Sequence, residues 1–259
     1  LLVPFNAQLR ALLFKEARMF LRDTTQSLQL VLLLMLTFIY LYNFRALRGG
    51  FSLPPEGMSW WQAVLALANM SFGACVVSAI SARFVFPSVS LEGRAYTLLR
   101  ATPLSQEQFL RHKFHIWLIP MCIMSVILFV SGTWAIFATP ETVIVSAVLA
   151  VALTIGTTGL AVGIGAVYAK FDWESPAQVN ASFGSLVYML LSLALVAVTM
   201  LPSMPIFILT SVPTLAAQMD RHEYTLVVLC SLFLVFYVNY AVCRHALNAG
   251  AQHLKEMEN

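Results

Sequence analysis

The sequence predicts an all-α integral membrane protein with about six transmembrane helices and an N-terminal interfacial helix. Three observations lead to this prediction. Of the 259 residues, 59% are hydrophobic and only 10% are charged, whereas soluble domains carry about 25% charged residues. Apolar stretches recur at about the 20-residue length that an α-helix needs to cross the hydrocarbon core. Basic residues cluster on alternate connections between these stretches, as they do in multi-pass membrane proteins.

The N-terminal segment 1–26 is predicted to be a cytoplasmic interfacial helix. At about 100° per residue, Leu9 and Leu13 share an apolar face, whereas Lys15 and Arg18 share a basic one. This pattern is typical of a helix that lies on the membrane surface in contact with lipid. A surface helix with no role beyond anchoring fits the pattern equally well.

A six-span transmembrane domain is predicted over residues 27–243. The spans are placed at residues 27–44, 61–82, 114–138, 142–168, 179–200 and 223–243. Thr139 is predicted to cap the fourth span, with Pro140 at its first helical position. The outer segment 201–222 contains three prolines and an apolar centre too short to span, which favours a re-entrant or surface-lying hairpin. Residues 244–259 are predicted to form a cytoplasmic tail.

Lysine and arginine are unevenly distributed between the two sides. With the N-terminus placed inside, twelve of the 15 basic residues fall on inner segments, and only Arg45, Arg48 and Arg221 fall on outer ones. Because basic residues are retained on the cytoplasmic side of a membrane, both termini are predicted to be cytoplasmic.

The fourth span has a stripe of small residues. Ala152, Gly156, Gly159 and Gly163 fall within about 80° on a helical wheel. Small residues let a second helix approach closely, so these four positions are predicted to form a helix-packing site. Static packing and a moving helix interface both fit this pattern.

The longest cytoplasmic loop, 83–113, is predicted to be structured. Its apolar side chains share one face of a predicted helix over 88–100, which ends before Pro103. Ser105 and Gln108 then form a capping box for the next helix. A helix, a break and a second helix have the shape needed to dock on a soluble partner. An amphipathic hairpin on lipid headgroups fits the same spacing.

The predicted docking residues of this loop are its large apolar and charged side chains: Leu91, Glu92, Arg94, Tyr96, Leu98 and Arg100. The charged members are expected to pair with charges on a soluble subunit. Exposed ion pairs contribute only about 0–1 kcal/mol each, so the loss of Glu92 is expected to have a mild effect. The shorter loop 170–178 is the second predicted contact, through Glu174, Pro176 and Gln178.

Several functional motifs are missing from the sequence. It contains no phosphate loop of the form G-x-x-x-x-G-K-[ST], no H-E-x-x-H and no G-x-S-x-G. The net charge of +3 gives no case for nucleic-acid binding. The four cysteines form no C-x-x-C pair, which favours buried thiols over a metal site. The chain is therefore predicted not to be an enzyme and to have no catalytic residue, metal or cofactor of its own.

Four stretches of the chain form a recognisable pattern. They are FKEARMFLRDTTQ (14–26), YNFRAL (42–47), RFVFPSVSLEGRAYTLLRATPLS (83–105) and FDWESPAQVNASFGSLVYMLLSL (171–193). These stretches resemble permease subunits of ATP-binding-cassette exporters, in the family known as putative ABC exporters. The resemblance covers roughly residues 14–200. The family motif usually reads E-N-P-A-Q, and Ser175 replaces the asparagine here; both residue types cap helices well.

The resemblance implies an exporter-type ABC transmembrane domain in a bacterial inner membrane. Such a unit pairs with a second six-span half or an identical subunit, and docks on a cytoplasmic ATP-binding-cassette ATPase that binds ATP and Mg. Loops 83–113 and 170–178 would be the coupling elements. Permeases of this family are often one longer chain with two halves, so a half-size subunit and a fragment of a longer permease both remain open.

Three functions compete on these grounds. The leading prediction is a permease subunit that converts ATP hydrolysis in a partner into substrate export. The alternative is a non-transporting membrane anchor or scaffold subunit, whose cytoplasmic loops would touch no ATPase. An intramembrane enzyme would need ionisable or metal-binding residues facing a cavity, and the central turns of the predicted spans contain no Lys, Arg, Asp or Glu.

Overall fold

The computed structural model describes residues 35, 37–39, 42, 55–93, 105–136, 138–172 and 176–257. This described part is helical and contains no strand. Five of its helices are long and apolar enough to cross a membrane: Ser59–Ser88, Gln106–Ala135, Pro140–Val167, Phe183–Ser211 and Arg221–Glu256. Five residues of the predicted first span, 27–44, are described, and they are helical. The predicted interfacial helix 1–26 lies outside the described residues.

Helix α1 (Pro55–Ile80) continues into a segment of irregular helix. We call Ser81–Gly93 the shoulder. It consists of a π-helix and two 3-10 turns, at Ser81–Val85, Phe86–Ser88 and Ser90–Glu92. Gly93 ends it with a positive φ of 49°, a conformation that costs glycine little. The regular helix that the sequence predicted over 88–100 is therefore replaced by 3-10 turns up to Glu92 and interrupted at Gly93.

Helices α2 (Gln106–Ala135) and α3 (Pro140–Val167) begin at predicted caps. The Ser105 hydroxyl accepts from the Gln108 backbone N–H at 3.2 Å, and the Gln108 side chain accepts from the Ser105 N–H at 3.2 Å. Thr139 Oγ1 accepts from the Thr142 N–H at 3.3 Å. These contacts satisfy N–H groups that have no partner inside the helix, and they confirm both predicted caps.

The predicted outer hairpin 201–222 is wrong over its first half. After the short helix α4 (Pro176–Asn180), helix α5 (Phe183–Ser211) continues through its two internal prolines. Ile206 and Phe207, beyond both prolines, are completely buried. Packing of these side chains stabilises the helix where proline alone predicts a break. Only the short helix α6 (Pro213–Ala216) and a turn lie between α5 and the next long helix.

Helix α7 (Arg221–Glu256) is a single helix of 36 residues. The sequence predicted a span that ends at residue 243 and a separate tail, whereas the helix itself continues across that boundary. Beyond it, Ala246, Gly250, Ala251 and Leu254 remain buried. The helix continues because it still has a packing surface, whereas the charge of Arg244 marks only where the apolar run ends.

Helix α3 is at the centre of the described bundle and packs against α7, α2 and α5. One apolar cluster, around Phe86, Leu110 and Tyr188, lies at the end of the bundle where α1 and α3 finish. A second cluster, around Phe129 and Phe207, lies toward the opposite end. The shoulder belongs to the first cluster, so it is part of the core.

Candidate functional site at the basic end of the bundle

Most described basic residues share one end of the bundle, where α1 and α3 finish and α2 and α5 begin. We call it the basic end. Seven lysines and arginines lie in the described part of the chain. Six lie at or toward this end: Arg83, Arg111, Lys113, Lys170, Arg244 and Lys255. Arg221, at the start of α7, lies at the opposite end. The two loops that the sequence predicts as docking elements also meet the bundle at the basic end.

A buried ion pair joins the shoulder to α2. Lys113 Nζ lies 2.6 Å from Glu92 Oε1, and neither side chain has exposed area. The same ammonium donates to the Ser88 carbonyl oxygen at 3.1 Å and lies 5.8 Å from the centre of the Phe109 ring. A buried charge is tolerated when it is both paired and hydrogen-bonded. Lys113 meets both conditions through Glu92 and Ser88.

The prediction that Glu92 presents its charge to a soluble partner is therefore wrong. The sequence predicted Glu92 to be an exposed charge on a helix over 88–100, but the 3-10 turn at Ser90–Glu92 places it against α2 instead. Leu91 beside it is half-buried. The other predicted docking residues of this loop lie outside the described residues, and their role stays a prediction: Arg94, Tyr96, Leu98 and Arg100.

The shoulder also packs against α3 and α5. The Phe86 ring stacks on Tyr188 of α5, with 6.0 Å between ring centres. The Phe86 carbonyl lies so close to Gly165 of α3 that a β-carbon at position 165 would overlap it. Tyr188 donates to the Ser78 carbonyl oxygen in α1 at 3.4 Å. The shoulder thus contacts α3 and α5 through Phe86, in addition to α2 through Glu92.

The two predicted docking loops are joined through the shoulder. The Lys170 backbone N–H, just past the end of α3, donates to Ser90 Oγ at 3.2 Å. Helix α4 packs against the turn at Phe86–Ser88. Of the residues predicted in loop 170–178, Pro176 begins α4 and Gln178 is exposed, whereas Glu174 lies outside the described residues.

A cavity of about 310 Å³ opens beside the shorter loop. Its wall includes Tyr168, Lys170, Asp172, Gln178 and Phe183. The Tyr168 and Phe183 rings meet edge to face, with 6.1 Å between their centres. Both charged residues are exposed. The loop therefore presents a concave, partly charged surface next to the point where it joins the shoulder.

The small-residue stripe of α3 packs against α7. A β-carbon on Gly159 would lie 2.9 Å from Cys243 Cα, and one on Gly163 would overlap the Ala246 backbone carbonyl. Ala152, at the other end of the stripe, is completely buried. The absence of side chains thus permits the close approach of the two helices. We call this contact the α3–α7 seam.

An amide lies at the middle of this seam. Asn239 of α7 donates from Nδ2 to Thr199 Oγ1 of α5 at 3.2 Å and to the Val235 carbonyl oxygen at 2.9 Å. Its Oδ1 occupies the space that a side chain at Gly156 would fill. The seam therefore also connects α7 to α5 through a buried polar contact.

Lys113 was missed as a site residue in the sequence. A lysine seven positions inside the apolar helix α2 is a signal that could have found it, because an ionisable group in such a helix requires a partner. Nothing in local spacing identifies Glu92 as that partner. Among the described residues, no three His, Cys, Asp or Glu lie close enough to hold a metal ion.

A family described as "Putative ATP-binding cassette" matches residues 1–259. No curated protein and no solved structure matches the chain.

Proposed function

Because the chain belongs to the family described as "Putative ATP-binding cassette", we propose that it is the membrane-spanning permease subunit of an ATP-binding-cassette exporter. The observation that carries this proposal is the joining of two loops to the spanning helices at one charged end of the bundle. In this role the chain forms the substrate pathway, and a separate subunit hydrolyses ATP.

The family description by itself is compatible with an ATP-hydrolysing subunit, but two observations favour the permease. The described part of the chain consists of helices, five of which can span a membrane. The sequence also lacks the G-x-x-x-x-G-K-[ST] loop, whose backbone N–H groups and lysine bind nucleotide phosphates. ATP and Mg are accordingly assigned to the partner ATPase, and this chain binds neither.

The coupling role follows from the contacts of the shoulder. Loop 83–113 is the larger proposed contact with the ATPase, and loop 170–178 is the smaller one. The shoulder forms the first part of loop 83–113, and Ser90 contacts the start of the second loop at Lys170. Displacement of either loop by the ATPase would therefore reach α2, α3 and α5 together.

A second transmembrane unit completes the proposed pathway, either an identical subunit or a second six-span half. Large apolar side chains cover the outer faces of α5 and α7, among them Leu190, Leu193, Phe233 and Tyr237. In a bilayer these faces contact lipid or the second unit. The proposal includes no nucleic-acid partner.

The proposed orientation places the basic end and both termini in the cytoplasm of a bacterial cell, with the bundle in the inner membrane. We expect a single cysteine at Thr214, in the exposed α6, to react with a membrane-impermeant maleimide in intact cells. Cysteines at Gln178 and Lys255 should react only after lysis. The four native cysteines are first replaced by alanine. Labelling of Gln178→Cys in intact cells would overturn the orientation.

Purification of the tagged chain from its native membrane tests the function. We expect an ATP-binding-cassette ATPase to co-purify in nanodiscs and to hydrolyse ATP. Leu98→Asp should remove the ATPase, because a carboxylate cannot enter an apolar groove, whereas Leu98→Met should retain it. Absence of an ATPase from the wild-type preparation would refute the proposal and favour the scaffold alternative. Equal recovery with Leu98→Asp would show that loop 83–113 does not dock through this residue.

A further inference from the structure

The buried pair between Glu92 and Lys113 is unusual for a chain with only 10% charged residues. Both side chains are fully buried, and the ion-pair distance is 2.6 Å. Removing two charges from water is costly, and apolar side chains of similar volume often give equal or greater stability. Stability alone therefore does not account for the pair. A buried ion pair does, however, fix the relative position of the two elements that it joins.

The two elements that the pair joins are the shoulder and α2. Glu92 is next to Gly93, where the described shoulder ends, and Lys113 lies two turns into α2, which begins after Ser105. All of residues 94–104 lie between the two partners. Within the predicted docking loop 83–113, the pair thus joins the shoulder to the start of α2.

Further contacts extend from this base into the bundle. Lys113 also holds the Ser88 carbonyl oxygen at 3.1 Å, and Ser90 accepts from the Lys170 N–H at 3.2 Å. A displacement of the loop can reach α2 through Lys113 and the connection after α3 through Ser90. Without the pair, the shoulder and the first turns of α2 would lose their buried ionic contact, and a displacement of one would be passed less directly to the other.

Resting on the function proposed above, we propose that Glu92 and Lys113 are a positioning pair that makes the shoulder and α2 move as one body. Neither residue touches substrate or nucleotide in this role. Their function is to carry a displacement produced by the ATPase along α2 to its far end near Trp134.

The first experiment uses the isolated chain in nanodiscs and requires no ATPase. Glu92→Met/Lys113→Met keeps side chains of similar length but removes the directed contact. We expect its unfolding temperature to stay near that of the wild type. Amide hydrogen exchange at Glu92, Gly93 and Lys170 should nevertheless rise about tenfold, because these N–H groups bond within the shoulder or to it. Exchange at wild-type rates in a folded variant would overturn the proposal.

Two further variants complete the exchange experiment: a milder change in the pair and a matched control. Glu92→Asp shortens the side chain by one methylene group and retains the charge. If the double variant does not fold, an exchange rate unchanged by Glu92→Asp would overturn the proposal, and an intermediate rise would support it. The matched control is Glu107→Met/Arg111→Met, which removes an exposed ion pair from the same helix. Its exchange rates in the shoulder should equal those of the wild type.

The second experiment measures transmission in the complex. A single cysteine replaces Trp134, which is 74% exposed at the far end of α2, and its maleimide labelling rate is compared with and without ATP and vanadate. We expect a vanadate-dependent difference in the wild type and its loss in Glu92→Met/Lys113→Met, although the ATPase still co-purifies. A difference of wild-type size in the double variant would contradict the proposal. If no ATPase co-purifies with the wild type, the proposed function fails, and the exchange experiment still decides the role of the pair.

Discussion

Two ion pairs near the start of α2 have the same length and opposite surroundings. Lys113–Glu92 and Arg111–Glu107 both have an N–O distance of 2.6 Å. The first pair is fully buried and joins two elements. The second has side chains 64% and 46% exposed and joins neighbouring turns of one helix. Water and salt screen the second pair, whereas each member of the first depends on the other. Burial, and not distance, sets how much the loss of one partner costs.

The largest expected effect is the removal of one member of the buried pair. Lys113→Met leaves the Glu92 carboxylate buried without its cation, which should lower the free energy of unfolding by about 3–5 kcal/mol. Denaturant unfolding of the purified chain in detergent measures this difference. Glu92→Ala should give a loss of similar size, in contrast to the mild effect that an exposed carboxylate would have. A loss below about 1 kcal/mol for either variant would show that the buried pair contributes no more than an exposed one, which would contradict this prediction.

The next largest loss of stability is expected at the α3–α7 seam, where the contact depends on the shape of the helices and not on charge. Gly163→Leu forces a side chain against the Ala246 backbone, and overpacking of this kind costs about 1–3 kcal/mol. The loss should not depend on salt concentration. Ala197→Leu, on the exposed face of α5, is the matched control and should leave stability unchanged. Equal stability of the two variants would contradict this prediction, because it would mean that α3 and α7 can move apart without a loss of stability.

The polar contact at the seam should contribute less. Asn239 donates to Thr199 across two helices, and such contacts within membranes average about 0.6 kcal/mol. A double-mutant cycle with Asn239→Leu and Thr199→Val isolates this coupling energy from the other effects of each substitution. A coupling energy near zero would show that the hydrogen bond adds nothing to the steric fit around Gly156.

The smallest effect is expected at the exposed pair. Glu107→Ala should cost about 0.3–0.5 kcal/mol, as exposed pairs at i and i+4 do. The difference should shrink further at high salt, because exposed charges are screened. Unfolding measured at low and high salt checks both statements. A salt-independent loss as large as that of Glu92→Ala would remove the contrast between the two pairs.

Features that depend on local spacing could be predicted from the sequence. The Ser105–Gln108 capping box joins residues three apart and is present as predicted. Gly156, Gly159 and Gly163 of α3 share one face because the helical repeat places them there, and that face meets α7. In both cases the relevant neighbours are fixed by the helix itself.

Features that depend on distant partners could not be predicted in the same way. The orientation of Glu92 depends on Lys113, 21 positions away in the chain, and on a π-helix and 3-10 turns that packing imposes on the shoulder. Pro202 and Pro205 resemble breaks in the sequence, but tertiary contacts hold α5 together beyond them. The continuation of α7 past Arg244 likewise depends on its contacts with α3.

Site-specific photo-crosslinking in native membranes tests the central claim most directly. A photoreactive residue replaces Gln178, which is exposed at the basic end, or Thr214, which is exposed at the opposite end. If the chain is a permease subunit coupled through its basic end, position 178 should cross-link to an ATP-binding-cassette ATPase and position 214 should not. A cross-link to the ATPase from position 214, or none from position 178 in a membrane that contains the complex, would contradict this account.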